Sequence, residues 1–135
     1  MDQRLLLGLV ADGKGNVAVR LAEAAGISRQ AASARISAAV RAGSITRMGV
    51  GRGVRYALAE TQRQEREFRR EALSEDRVWR SLCAPVVADL PPNVRDIWQY
   101  GLTEMINNAV DHSGSETVRV GIIRNALYTQ AWVAD

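Results

Sequence analysis

The chain has 135 residues, a formal net charge of +3, nearly half apolar residues and one cysteine. Such a length makes one domain or two small ones, with enough apolar content for a globular core. No run of about 18 uncharged apolar residues occurs, and the N-terminus lacks the basic-then-apolar order of a secretory signal, so nothing points to a membrane or to export. The lone Cys83 excludes an intramolecular disulfide and has no zinc-ligand neighbours, which fits a soluble protein of a reducing cytoplasm and a merely packed thiol.

Charge is unevenly spread. Residues 1–58 carry nine basic side chains (Arg4, Lys14, Arg20, Arg29, Arg35, Arg41, Arg47, Arg52 and Arg55) against Asp2, Asp12 and Glu23, whereas the rest of the chain is mildly acidic. A compact basic module joined to an acidic one is the footprint of a nucleic-acid-binding head on a different kind of body.

Asp2 to Ala11 predicts a first helix, with Leu5, Leu6, Leu9 and Val10 at helical spacing, and Asp12-Gly13-Lys14-Gly15-Asn16 breaks it. Val17 to Ala25 predicts a second, with Val17 and Leu21 in the core, ended by Gly26, which can take the left-handed conformation of a tight inter-helix turn. Ser28 caps a third helix that runs to about Arg41 and stops at Gly43, burying Ala32, Ile36, Ala39 and Val40. Ser44 to Met48, a glycine-rich tip over 49–53 and Val54 to Leu58 predict a β-hairpin. The tip, Gly49-x-Gly51-x-Gly53, is not a phosphate-cradling loop, because such a loop leads from a strand into a helix N-terminus and here a second strand follows.

Helix, helix, turn, helix, hairpin is the order of a winged helix-turn-helix. The segment Leu21 to Gly43, with its Ala25-Gly26-Ile27-Ser28 turn, resembles that of bacterial transcription regulators. The resemblance implies double-stranded DNA as partner. Gln30, Ser33, Ala34 and Ser37 of the third helix would then face the major groove, with Arg29 and Arg41 placed for base edges or phosphate. Small side chains read sequence weakly, so Arg29 and Gln30 are the expected base contacts, and the wing residues Arg47, Arg52 and Arg55 the contacts to phosphate or minor groove.

From Ala59 to about Leu90 the composition changes. Glu60 to Glu75 is dense in Gln, Arg and Glu with few apolar residues, which predicts a solvated connecting helix serving as spacer, protein contact or homodimer contact. Val78, Trp79, Leu82, Val86 and Val87 then mark an amphipathic helix disturbed by Pro85, and Pro92 suits the first turn of a further helix.

In that last helix Glu104, Asn108, Asp111 and His112 fall along one stripe, flanked by Met105, Ile106, Ala109 and Val110 that can pack on a sheet. The expected product is a polar row facing a pocket. A carboxylate and an amide one turn apart can hold a water and offer an oxygen to Mg²⁺, a hard cation usually bound by few protein oxygens plus substrate phosphates. Ser113-Gly114-Ser115 then turns the chain into a strand over Thr117 to Ile123, paired as an antiparallel hairpin with Tyr128 to Val133.

Glu104-x-x-x-Asn108-Ala109-x-x-His112 resembles the N-box of the GHKL ATPases, which include histidine-kinase ATP domains, anti-sigma-factor kinases and type II topoisomerases. The resemblance implies ATP and Mg²⁺ as cofactors, Asn108 as metal ligand, Glu104 as base or water-orienting group, and Asn107, Asp111 and His112 beside the nucleotide. Asp135 looks like the Asp of the first glycine-rich box, Asp-x-Gly-x-Gly, which receives the adenine amino group. The glycines, lid and remaining strands do not follow, so the expectation is an incomplete domain that neither binds ATP tightly nor turns it over by itself. His112 is the only histidine, and no phosphoacceptor precedes the N-box, which argues against an autophosphorylating kinase.

The fold class predicted is α+β, mostly α with small β elements. A winged helix-turn-helix over 1–58 is followed by connecting helices over 59–90 and the N-terminal part of a GHKL α/β sandwich over 91–135. The function expected is a cytoplasmic DNA-binding transcriptional regulator fragment linked to an ATP-binding domain. The alternative is a serine-protein kinase of the anti-sigma-factor-kinase type, its winged module holding a protein partner.

Overall fold

The computed structural model describes residues 3–135, so Met1 and Asp2, where the first helix is expected to begin, lie outside the described residues. Both helices and strands build the protein, and the chain divides into two compact units: residues 3–61 with Asn125–Tyr128, and Gln62–Arg124 with Thr129–Asp135. Among the described residues no helix is long and apolar enough to cross a membrane.

In the first unit three helices, α1 (Arg4–Ala11), α2 (Val17–Ala25) and α3 (Arg29–Arg41), precede an antiparallel hairpin of β1 (Ile45–Met48) and β2 (Arg55–Leu58). α1 buries Leu6, Leu7 and Val10; Leu5 is 38% exposed, so the apolar stripe lies one position on from the spacing expected. α2 buries Val17, Leu21 and Ala22, and α3 buries Ala32, Ile36 and Ala39 at i, i+4 and i+7, with Ile45 closing the core from the hairpin. Burying each of the Leu, Ile and Val side chains contributes about 1.5–3 kcal/mol and each alanine less, so this small core holds the three helices together. The Ser28 hydroxyl accepts a hydrogen bond from the Ala31 N–H at 3.0 Å and thereby starts α3 where the sequence places it. At the hairpin tip Gly49 has φ +80°, and a Cβ there would lie 2.7 Å from the Gly53 carbonyl oxygen, so only glycine lets the chain close on the short helical turn Gly51–Gly53.

The second unit is a three-stranded antiparallel sheet, β3 (Gln62–Arg69), β4 (Thr117–Arg124) and β5 (Thr129–Ala134), with β4 in the centre. One face is covered by a helical layer. That layer starts with the short α4 (Glu75–Val78), continues through a wide turn over Trp79–Cys83, and is completed by α5 (Pro92–His112). Its core joins Val78, Trp79, Leu82, Cys83, Val86 and Val87 to Leu102 and Ile106 of α5 and to Val118, Val120 and Ile122 of β4. Pro92 opens α5 as expected, and the Arg70 guanidinium donates to the Ser113 carbonyl at 2.6 Å, satisfying a group at the far end of α5. The hairpin between β4 and β5 closes through Asn125, whose side-chain oxygen accepts from the Leu127 and Tyr128 N–H groups at 2.9 Å each.

One expected element is wrong. The solvated connecting helix over Glu60 to Glu75 does not form; residues 62–69 are strand β3, and only short helical turns follow before α5. Eight residues of β3 pair one-to-one with β4, from Gln62 opposite Arg124 to Arg69 opposite Thr117. That ladder outweighs the helix propensity of Gln, Arg and Glu, which is a weak prior beside tertiary pairing. The sheet is therefore larger than the hairpin predicted, and the apolar run around Trp79 bends through a wide turn instead of a regular helix before Pro85.

Candidate nucleic-acid interface

The basic side chains of the first unit are displayed by three elements: the loop between α1 and α2, the outer face of α3, and the hairpin. Packing of Ala32, Ile36 and Ala39 inward turns Arg29, Gln30, Ser33, Ser37 and Arg41 of α3 outward, and all five are exposed. Arg47 of β1, Arg52 at the tip and Arg55 of β2 are exposed as well. Among the described residues, no carboxylate lies within ion-pair distance of Arg29, Arg41, Arg47, Arg52 or Arg55, so their charge is not spent inside the fold.

Four cations converge. An open cleft of about 620 Å³ is lined by Lys14 from the α1–α2 loop, Arg29 and Ser33 from α3, and Arg52 and Arg55 from the hairpin, with Tyr56 beside them. The structure thus brings together Arg29, Ser33, Arg52 and Arg55 and leaves Gln30, Ser37, Arg41 and Arg47 outside that cleft. Lys14 is not among the site residues expected from the sequence, in which residues 12–16 mark only a helix break. The signal was a lysine between two glycines, a short cationic segment with room for close approach.

That loop is held in place by Arg20. Its guanidinium pairs with Asp12 and donates to the Lys14 carbonyl at 3.1 Å, while the Lys14 N–H donates to the Asp12 carboxylate at 2.9 Å. The hydrogen bond from Arg20, joined by the one from the Lys14 backbone, holds the Asp12 carboxyl below its usual range. Asp12 is committed to Arg20 and the loop backbone. The uncapped first turn of α2 also lines the cleft through Val17, Ala18 and Val19, and its positive end adds to the field there.

In the second unit, Glu104, Asn108, Asp111 and His112 lie on the exposed side of α5, and Asn107 is half-buried. The four share one side of the helix, open to solvent, and neither the apolar groove along α5 nor the small depression at Asp135 is lined by them. Leu102 and Ile106 are the residues α5 buries, and Met105, expected to pack on the sheet, is 41% exposed. An apolar groove of about 420 Å³ runs beside the row along Ile97, Trp98, Leu102 and Met105 toward β5, and it does not include Glu104 or Asn108. Asp135 follows β5, exposed, in a small depression with Glu67, Thr117 and Arg119. Among the described residues no cluster of three or more His, Cys, Asp or Glu is placed to hold a metal. The donor set of a nucleotide-bound Mg²⁺ is smaller than that, and one amide and one carboxylate a turn apart fit it.

No protein-family model matches this chain, and neither a curated protein nor a solved structure is significantly similar to it.

Proposed function

We propose that residues 1–58 are a winged helix-turn-helix that binds duplex DNA, in a transcriptional regulator whose residues 91–135 belong to the N-terminal part of a GHKL nucleotide-binding domain. The observation that carries the DNA reading is the cleft where Lys14, Arg29, Arg52 and Arg55 converge, the three arginines with no carboxylate in ion-pair distance among the described residues. A recognition helix with exposed Arg29, Gln30, Ser33 and Ser37 beside a cationic hairpin suits major-groove entry with flanking phosphate contacts. On the nucleotide side, Asn108 would offer an amide oxygen to Mg²⁺, which would neutralise phosphate charge. Glu104 would orient water, with Asn107, Asp111 and His112 alongside and Asp135 accepting from adenine. The support there is the shared exposed stripe on α5 together with a strand that leads into Asp135.

Fluorescence anisotropy of a labelled duplex against sodium chloride concentration tests the DNA reading. Four phosphate contacts give a slope of log affinity on log salt of about −3.6, and Arg52→Ala with Arg55→Ala lowers its magnitude by about 2. Absence of binding at low salt, or binding indifferent to that double substitution, would reject it.

A further inference from the structure

The second unit carries a cleft of about 500 Å³ that the proposed function does not use. It lies between the wide turn after α4 and the N-terminal half of α5, and its polar lining is Arg80, Arg95, Asp96 and Gln99, with Trp79 and Pro85 among its apolar walls. Its size falls within the roughly 300–1,000 Å³ of small-molecule sites, and its lining is more polar than theirs usually is, which suits a charged ligand.

Arg95 is what makes the cleft informative. It is half-buried, and among the described residues its Nε has no hydrogen-bond partner and no carboxylate pairs with it. An unmet buried donor on a charged group is costly, and the loss is recovered when an acceptor arrives. Arg80 stands in the same cleft, exposed; among the described residues its one hydrogen bond is a long one, from Nε to the Asp76 carbonyl at 3.4 Å, so most of its donors remain available. Asp96 brings one negative charge against these two positive ones, which leaves the lining net cationic.

We propose that this cleft binds a small oxyanion, a phosphate or carboxylate group held by the forked donors of Arg95 and Arg80, with any apolar body of the ligand against Trp79 and Pro85. Guanidinium groups suit such planar, multidentate recognition. Gln99, one turn on from Arg95, adds an amide that hydrogen-bonds a ligand oxygen. The site is separate from the Glu104 and Asn108 stripe, since Arg95 and Asn108 are thirteen residues apart on one helix, roughly 20 Å at 1.5 Å per residue.

The test uses the full chain labelled with ¹⁵N and titrated in separate arms with inorganic pyrophosphate and with citrate, each against sodium chloride at matched ionic strength. A local readout is needed, because the basic cleft of the first unit also attracts anions. The Trp79 indole N–H and the Gln99 side-chain amide supply it. The expected result is a saturable shift of both signals in at least one arm and none with sodium chloride, the responding arm telling phosphate from carboxylate. Arg80→Ala, at an exposed position that leaves the core intact, should weaken the midpoint by about tenfold or more, and Arg95→Lys should weaken it while keeping the charge. Should Arg95→Lys disturb the fold, Arg80→Ala still decides. No saturable shift in either arm would mean that Arg95 is satisfied by water alone. That result, the same shift with sodium chloride, or an unchanged midpoint in Arg80→Ala overturns the proposal.

Discussion

Replacing Gly121 by alanine should destabilise the second unit by up to about 2 kcal/mol, and the reason lies across the strand pair. Gly121 of β4 is directly opposite Trp132 of β5, and a Cβ at 121 would fall 2.1, 2.3 and 2.7 Å from three atoms of the indole ring. The backbone of β4 cannot retreat, because that strand is paired on both sides. The rigid ring must move instead. Leaving its rotamer well costs roughly 0.5–1.5 kcal/mol. Swinging out also loses its contact with the Arg63 guanidinium, whose carbon stands 5.4 Å from the ring centroid, an exposed cation–π pair worth roughly 0.5–1 kcal/mol. Against these losses, alanine restricts the unfolded chain and recovers about 0.5–1 kcal/mol. Urea unfolding followed by tryptophan fluorescence reads this unit, since Trp79, Trp98 and Trp132 all belong to it. In a Trp132→Ala background the same Gly121→Ala change should be neutral or slightly stabilising, giving a coupling of about 1–2.5 kcal/mol. A Gly121→Ala protein as stable as its parent, with coupling below about 0.5 kcal/mol, would refute the reasoning.

On α5, Ile106→Ala should cost about 2–5 kcal/mol because Ile106 is fully buried, whereas Ile97→Ala, at a position 69% exposed, should stay within about 0.5 kcal/mol; equal costs in urea unfolding would mean the helix is rotated from the face described. The carboxyls of Asp89 and Asp12 are held below their usual range by hydrogen bonds from Arg124 and Arg20. A lowered folded value means their stabilisation is complete above the unfolded value near 3.8 and fades as pH falls through the folded values. Asp89→Asn should accordingly flatten the acid limb of the urea midpoint plotted against pH, and an unchanged limb would show that the ion pair contributes nothing. Under the nucleotide reading, in a longer chain carrying glycine-rich boxes, Asn108→Ala should weaken Mg-ATP binding, while Glu104→Gln should leave binding unchanged and lower turnover by roughly 10²-fold or more. Calorimetry and steady-state rates separate the two, and normal values for both variants would reduce the stripe to the polar rim of a core helix.

The sequence was most legible where one residue type has few roles. Ser28 before a helix, Gly26 after one and Pro92 at the start of another are local signals, and each stands at the helix end it indicated. The burial of Ala32, Ile36 and Ala39 followed from spacing alone, and with it the outward face of Arg29, Gln30, Ser33 and Ser37. The cleft itself was not legible. It arises from distant segments, with Lys14 some fifteen residues from Arg29 and almost forty from Arg52 in the chain, and no local pattern announces that three loops and helix ends will converge. The Glu104 stripe was read in correct phase, yet its surroundings depend on what covers α5. Helix periodicity says only which residues share a side.

Strand β3 was misread for a related reason, and its partner held the missing information. Along Gln62–Arg69 every residue but Phe68 is exposed, so the alternation that identifies a half-buried strand is absent from its own sequence. Its neighbour carries more of the alternation: Val118, Val120 and Ile122 of β4 are fully buried, with Arg119 exposed between the first two and Thr117 before them only half-buried. A hairpin of β4 and β5 alone is marginal in water and would leave one side of that apolar strand open. An extra strand was therefore needed, and the preceding segment supplies it through backbone pairing while its side chains stay polar. Glu65 reaches diagonally to Arg119 at 3.7 Å and neighbours Arg63 at 3.1 Å, contacts that suit an extended segment lying across from β4. The same charges serve a second end, since an edge strand dense in Arg and Glu resists pairing with another chain. Composition that favours a solvated helix is thus equally the composition of a protected edge, and the choice between them is made by the strand alongside.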